Sequence, residues 1–522
     1  MVFCFALPAM AEDASTIDVS GKLVILHTND IHGRAVNGDG VLGYSRIAQV
    51  KTDLELLGAS VLLLDAGDAT QGTPLVNLSQ GASAIDFMIA AGYDAMTLGN
   101  HEFDWGFDNL QQILEGAPFD VLCANITDSI SGESVFTPNK VYEVASGIKV
   151  GIFGLDTPET MTKAHPDKVK GITFAMNEDL YAVAQGQVDE LKAAGADIIV
   201  CLGHLGVDDE SAPNRSIDVI DNTTGIDIFI DGHSHTNMNG GERFGTTLLT
   251  STGEYGQNLG YIIIDGADVI KSGNYTGVDA EVEDLVNTID AQVNEQLSAS
   301  FATTEVLLDG ERAPGVRTQE TNLGDFSADA ILWGAQQALG EEAVVAAVTN
   351  GGGIRTSIEV GDVTMLTMKT VFPFGNEVTT ITVTGAELLE ALEAATCALP
   401  EASGAFPQVA GIEFTIDTTV PYENGEQYPD STYFAPAKPG SRVTIATVGG
   451  EAFDLEALYT IATNDFTAAG GDTYYAFRYA YQTAGYKTGV ALEDALVNYT
   501  TTVLGGVIGE QYAAPQGRIT IK

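Results

Sequence analysis

Short apolar runs recur along the first half of the chain, at residues 23–26, 61–64, 95–98, 121–124, 150–154, 198–202 and 226–230. Each reads as a buried strand. Between several of them apolar positions return every three or four residues, as in YSRIAQVKTDLELLG, SAIDFMIAAG and DLYAVAQGQVDELKAAG. That is the period of an amphipathic helix, and strands alternating with helices predict an α/β architecture. Polar clusters repeatedly follow the strand ends, the edge at which α/β sheets bind ligands. Near residues 275–300 the pattern changes: DAEVEDLVNTIDAQVNEQL reads as an acidic amphipathic helix after a Gly-rich stretch, which predicts a connector. From residue 301 a second unit begins, with fewer clear βα alternations and Gly-rich turns at 350–353 and 470–471.

A length of 522 residues exceeds what one core supports. The pattern divides it into a first domain over 20–270, a linker helix over 271–300 and a second domain over 301–522. Charge then narrows the partners. The 72 acidic and 23 basic side chains leave a net charge of −49, which repels nucleic acid polymers and anionic membranes. A small anionic substrate therefore needs a local basic patch. The opening MVFCFALPAMAEDAS runs from an apolar stretch to Ala9-Met10-Ala11, an A-x-A cleavage pattern, although no basic residue precedes it. Residues 1–11 thus read as the remnant of a signal peptide, and the protein as exported to a periplasm, the extracellular space or a cell surface. No later run is long and apolar enough for a transmembrane segment. Cys4 lies in the opening segment. Cys123, Cys201 and Cys397 sit in apolar surroundings without paired spacing, so buried thiols are expected rather than a disulfide framework or a metal site.

The histidines carry the chemistry. There are seven, and five fall in four short motifs at or near strand ends. TNDIHG holds Asp30 and His32; GNHEFD holds Asn100, His101 and Asp104; CLGHLG holds His204; DGHSHT holds His233 and His235. DAGDATQG adds Asp68. Asp-x-His and His-x-His would put alternate residues on one side of an extended segment. Carboxylate, imidazole and amide oxygen together suit divalent metals such as Zn²⁺ or Mn²⁺. One histidine at a strand end is commonly structural, but five on one edge beside Asp30, Asp68 and Asn100 are not core fillers. His27 points the other way along its strand and His165 lies in a polar loop, so neither is a candidate.

The order D-x-H, G-D, G-N-H-[ED], G-H, G-H-x-H resembles the calcineurin-like metallophosphoesterase superfamily. The fuller run LHTNDIHG, GDATQGTP, TLGNHEFDWG and DGHSHT is similar to the 5′-nucleotidase / UDP-sugar hydrolase family. RTQETNLGDFSADA, NGGGIR, FPFGNEV and NDFTAAGGD resemble that family's C-terminal domain. The resemblance implies an N-terminal four-layer β-sandwich flanked by helices and a second α/β nucleotide-binding domain. It implies two divalent metal ions bridged by Asp68, one also held by Asp30, His32 and His235, the other by Asn100, His204 and His233. Several family members carry Gln or Asn where this chain has His235. His101 would face the phosphate, with Asp104 holding its ring and Glu102 behind as a hydrogen-bond partner. Phe103 and Trp105 would pack. Hydroxide would attack phosphorus in line with the leaving oxygen.

In the second domain the resemblance implies a site for small-molecule nucleotides. Arg317 and Arg355 would meet phosphate, Asn350 the base and Asp472 the ribose. Gly353 would leave room, and Phe374 and Phe466 would sandwich the base. The expected activity is hydrolysis of nucleoside 5′-monophosphates. The same core also serves UDP-sugar diphosphatases, 2′,3′-cyclic-nucleotide phosphodiesterase/3′-nucleotidases and a sulfur-oxidation thiosulfohydrolase. The cyclic-nucleotide subgroup tends to carry Asn where this chain has Asp104, and the thiosulfohydrolase has no need of Phe374 and Phe466. A non-catalytic surface binding protein is the reading of another class, and the intact ligand set speaks against it.

Overall fold

The computed structural model describes residues 19–145, 147–238, 240–263 and 266–522. The expected signal remnant and Cys4 lie outside the described residues. The chain divides into two compact units, one running to Thr160 and resuming over Lys168–Val293, the other formed by Met161–Asp167 and Asn294–Lys522.

In the first unit the strands are β1 (Leu23–Thr28), β2 (Ser60–Asp65), β3 (Ala95–Met96), β4 (Asp120–Val121), β5 (Ile126–Asp128), β6 (Asn139–Glu143), β7 (Lys149–Asp156), β8 (Ile172–Phe174), β9 (Ile198–His204), β10 (Ile228–Ile230), β11 (Glu242–Phe244), β12 (Thr247–Thr250), β13 (Asn258–Ile263) and β14 (Gly266–Lys271). They form two six-stranded sheets, ordered β14-β13-β1-β2-β3-β4 and β11-β12-β10-β9-β7-β6. A ribbon of β5 and β8 stands apart. The seven apolar runs therefore belong to two sheets, not one. The run β1-β2-β3-β4 of the first sheet and the run β12-β10-β9-β7 of the second are parallel: Thr28 lies opposite Asp65 on β1 and β2, and Asp156 opposite His204 on β7 and β9.

The sheets share an aliphatic layer in which Ile25, Leu62 and Leu64 of one meet Ile152, Val200, Leu202 and Ile230 of the other. Burial of that layer is what aligns the strands, because apolar area removed from water stabilises by about 25 cal/mol per Å². Helix Glu178–Ala193 covers the outer face of the second sheet through Leu180, Ala184, Val188 and Leu191. Helix Gly43–Leu56 packs on β2 and on helix Ala82–Ala91, with Tyr44 against Phe87 at 5.7 Å. Helix, sheet, sheet and helix give the four layers. Cys123 and Cys201 are buried thiols, as expected, while Cys397 in the second unit is half-buried.

The second unit is built on a five-stranded sheet in the order Pro407–Ala410, Ala346–Asn350, Leu458–Asn464, Glu377–Thr384 and Tyr486–Ala491. Helix Asn322–Leu339 packs with Leu492 and Leu496 in one apolar cluster. Leu388, Leu392, Tyr474 and Phe477 form another. The acidic stretch expected to be helical forms a helix over Ala280–Leu297. Among the described residues no helix is long and apolar enough to cross a membrane.

The closeness of the packing is clearest at Gly154 on β7, where a Cβ would stand 1.7 Å from the Leu122 carbonyl oxygen. Backbone cannot yield as a side chain does. Gly154→Ala is expected to destabilise the first unit by at least the roughly 1–3 kcal/mol of an overpacked core. A lower urea midpoint at unchanged slope is the readout, and an unchanged midpoint would contradict the packing described.

Candidate active site

The carboxyl ends of the parallel strands deliver the site. Asp30 and His32 follow β1, Asp68 follows β2, Asn100 and His101 follow β3, His204 ends β9, and His233 and His235 follow β10. The approach is not by extended backbone. Asp30, His32, Asp68, His233 and His235 all adopt left-handed backbone, with φ of 50°, 48°, 61°, 74° and 55°. Each such residue costs of order 1–3 kcal/mol and persists only where surrounding structure imposes it. The left-handed turns, rather than strand alternation, aim these side chains. His233 turns towards Asn100, while His235, two residues on, turns towards His32 and Asp30.

The polar atoms converge. His32 Nε2 lies 3.2 Å from His235 Nε2 and 3.7 Å from Asp68 Oδ2. His235 Nε2 is 3.3 Å from Asp30 Oδ1. His204 Nε2 is 3.2 Å from Asp68 Oδ2 and 3.9 Å from Asp30 Oδ1. His233 Nδ1 is 3.0 Å from Asn100 Oδ1. Asp30, His32 and His235 form one group with metal-ligand spacing, and Asp30, Asp68 and His204 another.

The opposite nitrogen of each ring is already engaged. His204 Nδ1 donates to the Ala66 carbonyl at 2.6 Å, and His32 Nδ1 is 3.3 Å from the Gln71 carbonyl. His235 Nδ1 meets Glu254, and His233 Nε2 meets Glu159 at 2.7 Å. What remains turned inward is one nitrogen per ring, facing carboxylate and amide oxygens. His204 Nε2 is buried without a hydrogen-bond partner. That donor set fits divalent metal ions of the Zn²⁺ or Mn²⁺ kind. Electrostatics make the same point. Burial alone would raise Asp68, yet the adjacent His204 and His101 hold it well below the usual carboxylate range. His204 is raised by Asp68 and Asp30 against the opposing effect of burial. The cluster attracts positive charge to its centre.

Glu102 supports this arrangement from behind. It is fully buried and accepts from the backbone N–H of Asp68, Ala69, Thr70 and Gly99 at 2.7–3.1 Å. Gly99 has to be glycine, because a Cβ there would stand 2.4 Å from Asp68 Oδ1. His101 Nδ1 pairs with Asp104 Oδ2 at 2.7 Å, as the motif led one to expect. Phe103 packs against Phe174, and the Trp105 ring lies beneath Lys168. His27 is buried in β1, and its ring nitrogens have no hydrogen-bond partner.

In the second unit a constellation gathers around the turn Gly351–Gly353. Asn350 Nδ2 donates to Asp472 Oδ2 at 3.0 Å, and Asn350 Oδ1 accepts from Asn464 at 3.1 Å. Asn350 is thereby a support for Asp472, which itself sits at φ 49°. A Cβ on Gly353 would lie 3.3 Å from Asn350 Oδ1. The Arg355 guanidinium lies over the Phe374 ring at 5.5 Å and donates to the Gly352 carbonyl at 3.5 Å. Gly352 N–H in turn donates to the Gly404 carbonyl, and nearby Ser403 N–H donates to the Arg317 carbonyl. Phe466 is half-buried with its ring against Gly471. All seven expected residues of this unit thus lie around or beside one turn.

Two residue runs in this chain match known families: residues 23–237 match the calcineurin-like phosphoesterases, and residues 300–479 the 5′-nucleotidase C-terminal domain. A 5′-nucleotidase of Vibrio cholerae is 30% identical over 90% of this chain and 88% of its own length. The chain belongs to the 5′-nucleotidase family. Its chemistry is that of the phosphoric monoester hydrolases. A solved 5′-nucleotidase precursor from Thermus thermophilus superposes with a TM-score of 0.77 at 29% identity, covering 96% of this chain and 99% of that one. A trifunctional nucleotide phosphoesterase of Bacillus subtilis is 31% identical over 87% of this chain, which spans only 32% of that longer protein.

Several residues of this 5′-nucleotidase site were not apparent in its sequence. Glu159 follows β7 and Glu254 follows β12, the same strand-end rule that places the histidines, but each lies in a motif without His or paired Asp. His165 lies in a loop, as expected, but is buried there, within the second unit.

Loss of Glu102 provides a direct check. Bonds to a charged acceptor contribute about 1.5–3 kcal/mol each and are not additive. Glu102→Ala is expected to lower stability by at least ~3 kcal/mol and to weaken metal binding by about 10–100-fold, the range seen for partners behind ligands. Calorimetric titration of the metal-free protein with Mn²⁺ measures the second effect, and unchanged affinity would remove Glu102 from this role.

Proposed function

We propose that the chain is an exported 5′-nucleotidase that hydrolyses nucleoside 5′-monophosphates to nucleoside and phosphate with two divalent ions. The observation that carries the reading is the convergence of Asp30, His32, Asp68, His204 and His235 beside the His101–Asp104 pair. Asp30, His32 and His235 would hold one ion, Asn100, His204 and His233 the other, and Asp68 would be shared. Bound there, divalent ions would make a water nucleophilic at neutral pH and neutralise phosphoryl oxygens.

The remaining work falls to side chains. Asp104 accepts from His101 Nδ1–H, which fixes the ring and leaves Nε2 as the working atom. From Nε2, His101 would stabilise a phosphoryl oxygen or donate a proton to the departing ribose oxygen. In the second unit Arg317 and Arg355 would meet the phosphate, with Arg355 steadied by Phe374 and the Gly352 carbonyl. Asp472, backed by Asn350, would take the ribose hydroxyls, and Phe374 and Phe466 the base. Recognition in one unit and chemistry in the other suit a family that varies its leaving group. The A-x-A pattern at residues 9–11 and the acidic composition support export.

The substrate assignment is tested with AMP, UDP-glucose, 2′,3′-cyclic AMP and 3′-AMP, each with added Mn²⁺ or Zn²⁺. AMP is expected to give the highest kcat/KM, and exhaustive chelation to abolish turnover until metal is restored. Preference for UDP-glucose or the cyclic nucleotide would replace the reading, and full turnover after chelation would end it. The His101 role is separable from metal binding. Asp104→Asn is expected to keep the metal content while lowering kcat by about 10²–10⁴-fold, the scale of acid–base and orienting effects. Loss of metal together with activity would instead make Asp104 part of the metal site's scaffold.

A further inference from the structure

We propose that Met161–Asp167, a short excursion of the chain that packs in the second unit, positions the nucleoside-binding loop, with Lys163 and His165 as its working residues. The inference rests on the reading of Phe466 and Asp472 as nucleoside contacts. The loop opens at Asn464, whose side chain caps helix Asp465–Ala468 by accepting from Thr467 N–H. It carries Phe466 and ends on Asp472. Both of its ends are gripped by the excursion, which lies far away in the sequence.

At the first end His165 is buried. Its Nδ1 accepts from Asp167 N–H at 3.2 Å, so in the neutral ring the proton sits on Nε2, which lies 3.6 Å from Asp465 Oδ2. The Asp465 carboxylate also accepts from Asn376 at 3.1 Å, Glu377 N–H at 3.0 Å and Lys487 at 3.0 Å. Burial alone would raise this carboxyl, yet His165, the Glu377 N–H and Lys487 hold it well below the usual range. Asp465 is therefore a fixed anion immediately before Phe466, and His165 is the part of its surroundings that comes from the excursion.

At the second end Asp472 N–H donates to the Thr162 carbonyl at 2.8 Å. Lys163 Nζ lies 4.0 Å from Asp472 Oδ1 and over the Tyr433 ring at 5.6 Å. Asn350 holds the other carboxylate oxygen. Asp472 is thus kept in its left-handed conformation with one oxygen on an amide and the other facing an ammonium. A carboxylate that must accept ribose hydroxyls is set in place before the ligand arrives, and a loop already ordered adds less entropy loss to binding. Weakening either end should raise KM for nucleotides and leave the chemical step alone.

The test uses the full chain with AMP and p-nitrophenyl phosphate, which has no nucleoside to hold. Lys163→Met and His165→Gln, singly and together, are expected to raise KM for AMP, by about tenfold in the double variant. The kcat for AMP and the kcat/KM for p-nitrophenyl phosphate should stay within about twofold of wild type, and Lys163→Arg should restore the wild-type KM. Lys163 is only partly buried, so Lys163→Met keeps the fold and remains informative should His165→Gln prove unstable. Phe466→Ala separates the two layers of the argument. If it penalises AMP alone while the excursion variants change neither substrate, the positioning role is wrong and the nucleotide reading stands. If it penalises both substrates equally, the loop is not a nucleoside site and both readings fall. Equal losses on both substrates in the excursion variants would make the segment structural only, which also overturns the proposal.

Discussion

Buried carboxylates at the ends of parallel strands are the constraint around which the first unit is organised. Asp30 and Asp68 are withdrawn from water, and the cost of leaving such groups charged without compensation is several kcal/mol each. Compensation comes from two directions. From the front, imidazoles of His204, His32 and His235 face the carboxylate oxygens. From behind, Glu102 gathers the backbone N–H groups of Asp68, Ala69 and Thr70 and so satisfies the donors of the Asp68 turn. The left-handed conformations of five site residues follow from the same requirement. A strand that simply ran on would carry its side chains past the centre, and the turn brings them back to it.

The two sheets make this possible by ending in register. β1, β2 and β3 in one sheet and β7, β9, β10 and β12 in the other run parallel within their sheets. The shared aliphatic layer fixes those ends relative to each other, and the close approach at Gly154 leaves little freedom to slide. Rigid elements hold a site more accurately than loops alone. The loops here are short and rooted directly in strand ends, so packing of Ile25, Leu64, Val200 and Ile230 becomes precision in the placement of Asp30, Asp68, His204 and His233.

Much of this was legible in the sequence because it obeys local rules. Apolar runs marked the strands, a 3.6-residue period marked the covering helices, and His and Asp after strand ends marked the cluster. The His101–Asp104 pair came from the family resemblance, and the structure shows the two side chains meeting across one turn. What escaped was long-range. Nothing local separates the strands of one sheet from those of the other, since pairing is decided by which faces bury together. Glu159 and Glu254 are ordinary acidic residues among 72 until the fold sets them behind His233 and His235. His165 is a loop residue, as expected, but its burial escaped because its partner, Asp465, is remote in the chain. The second unit was read from motif resemblance, and there the structure adds which atoms are already committed, notably the amide of Asn350.

Net charge sets a problem for the proposed substrate. At −49 the chain repels the phosphate dianions it is proposed to bind, but over distances beyond about 8 Å physiological salt screens that field. Within that distance single cations decide the outcome. Arg355 is placed over an aromatic ring and against the Gly352 carbonyl, which leaves the rest of its donor fork for a planar or phosphate ligand. Lys163 and Lys487, by contrast, are set beside Asp472 and Asp465. They balance the loop's own carboxylates, so that on the proposed reading an anionic nucleotide approaching Phe466 would meet a locally compensated surface. With so few basic side chains, their distribution between ligand and scaffold matters more to binding than the overall charge does.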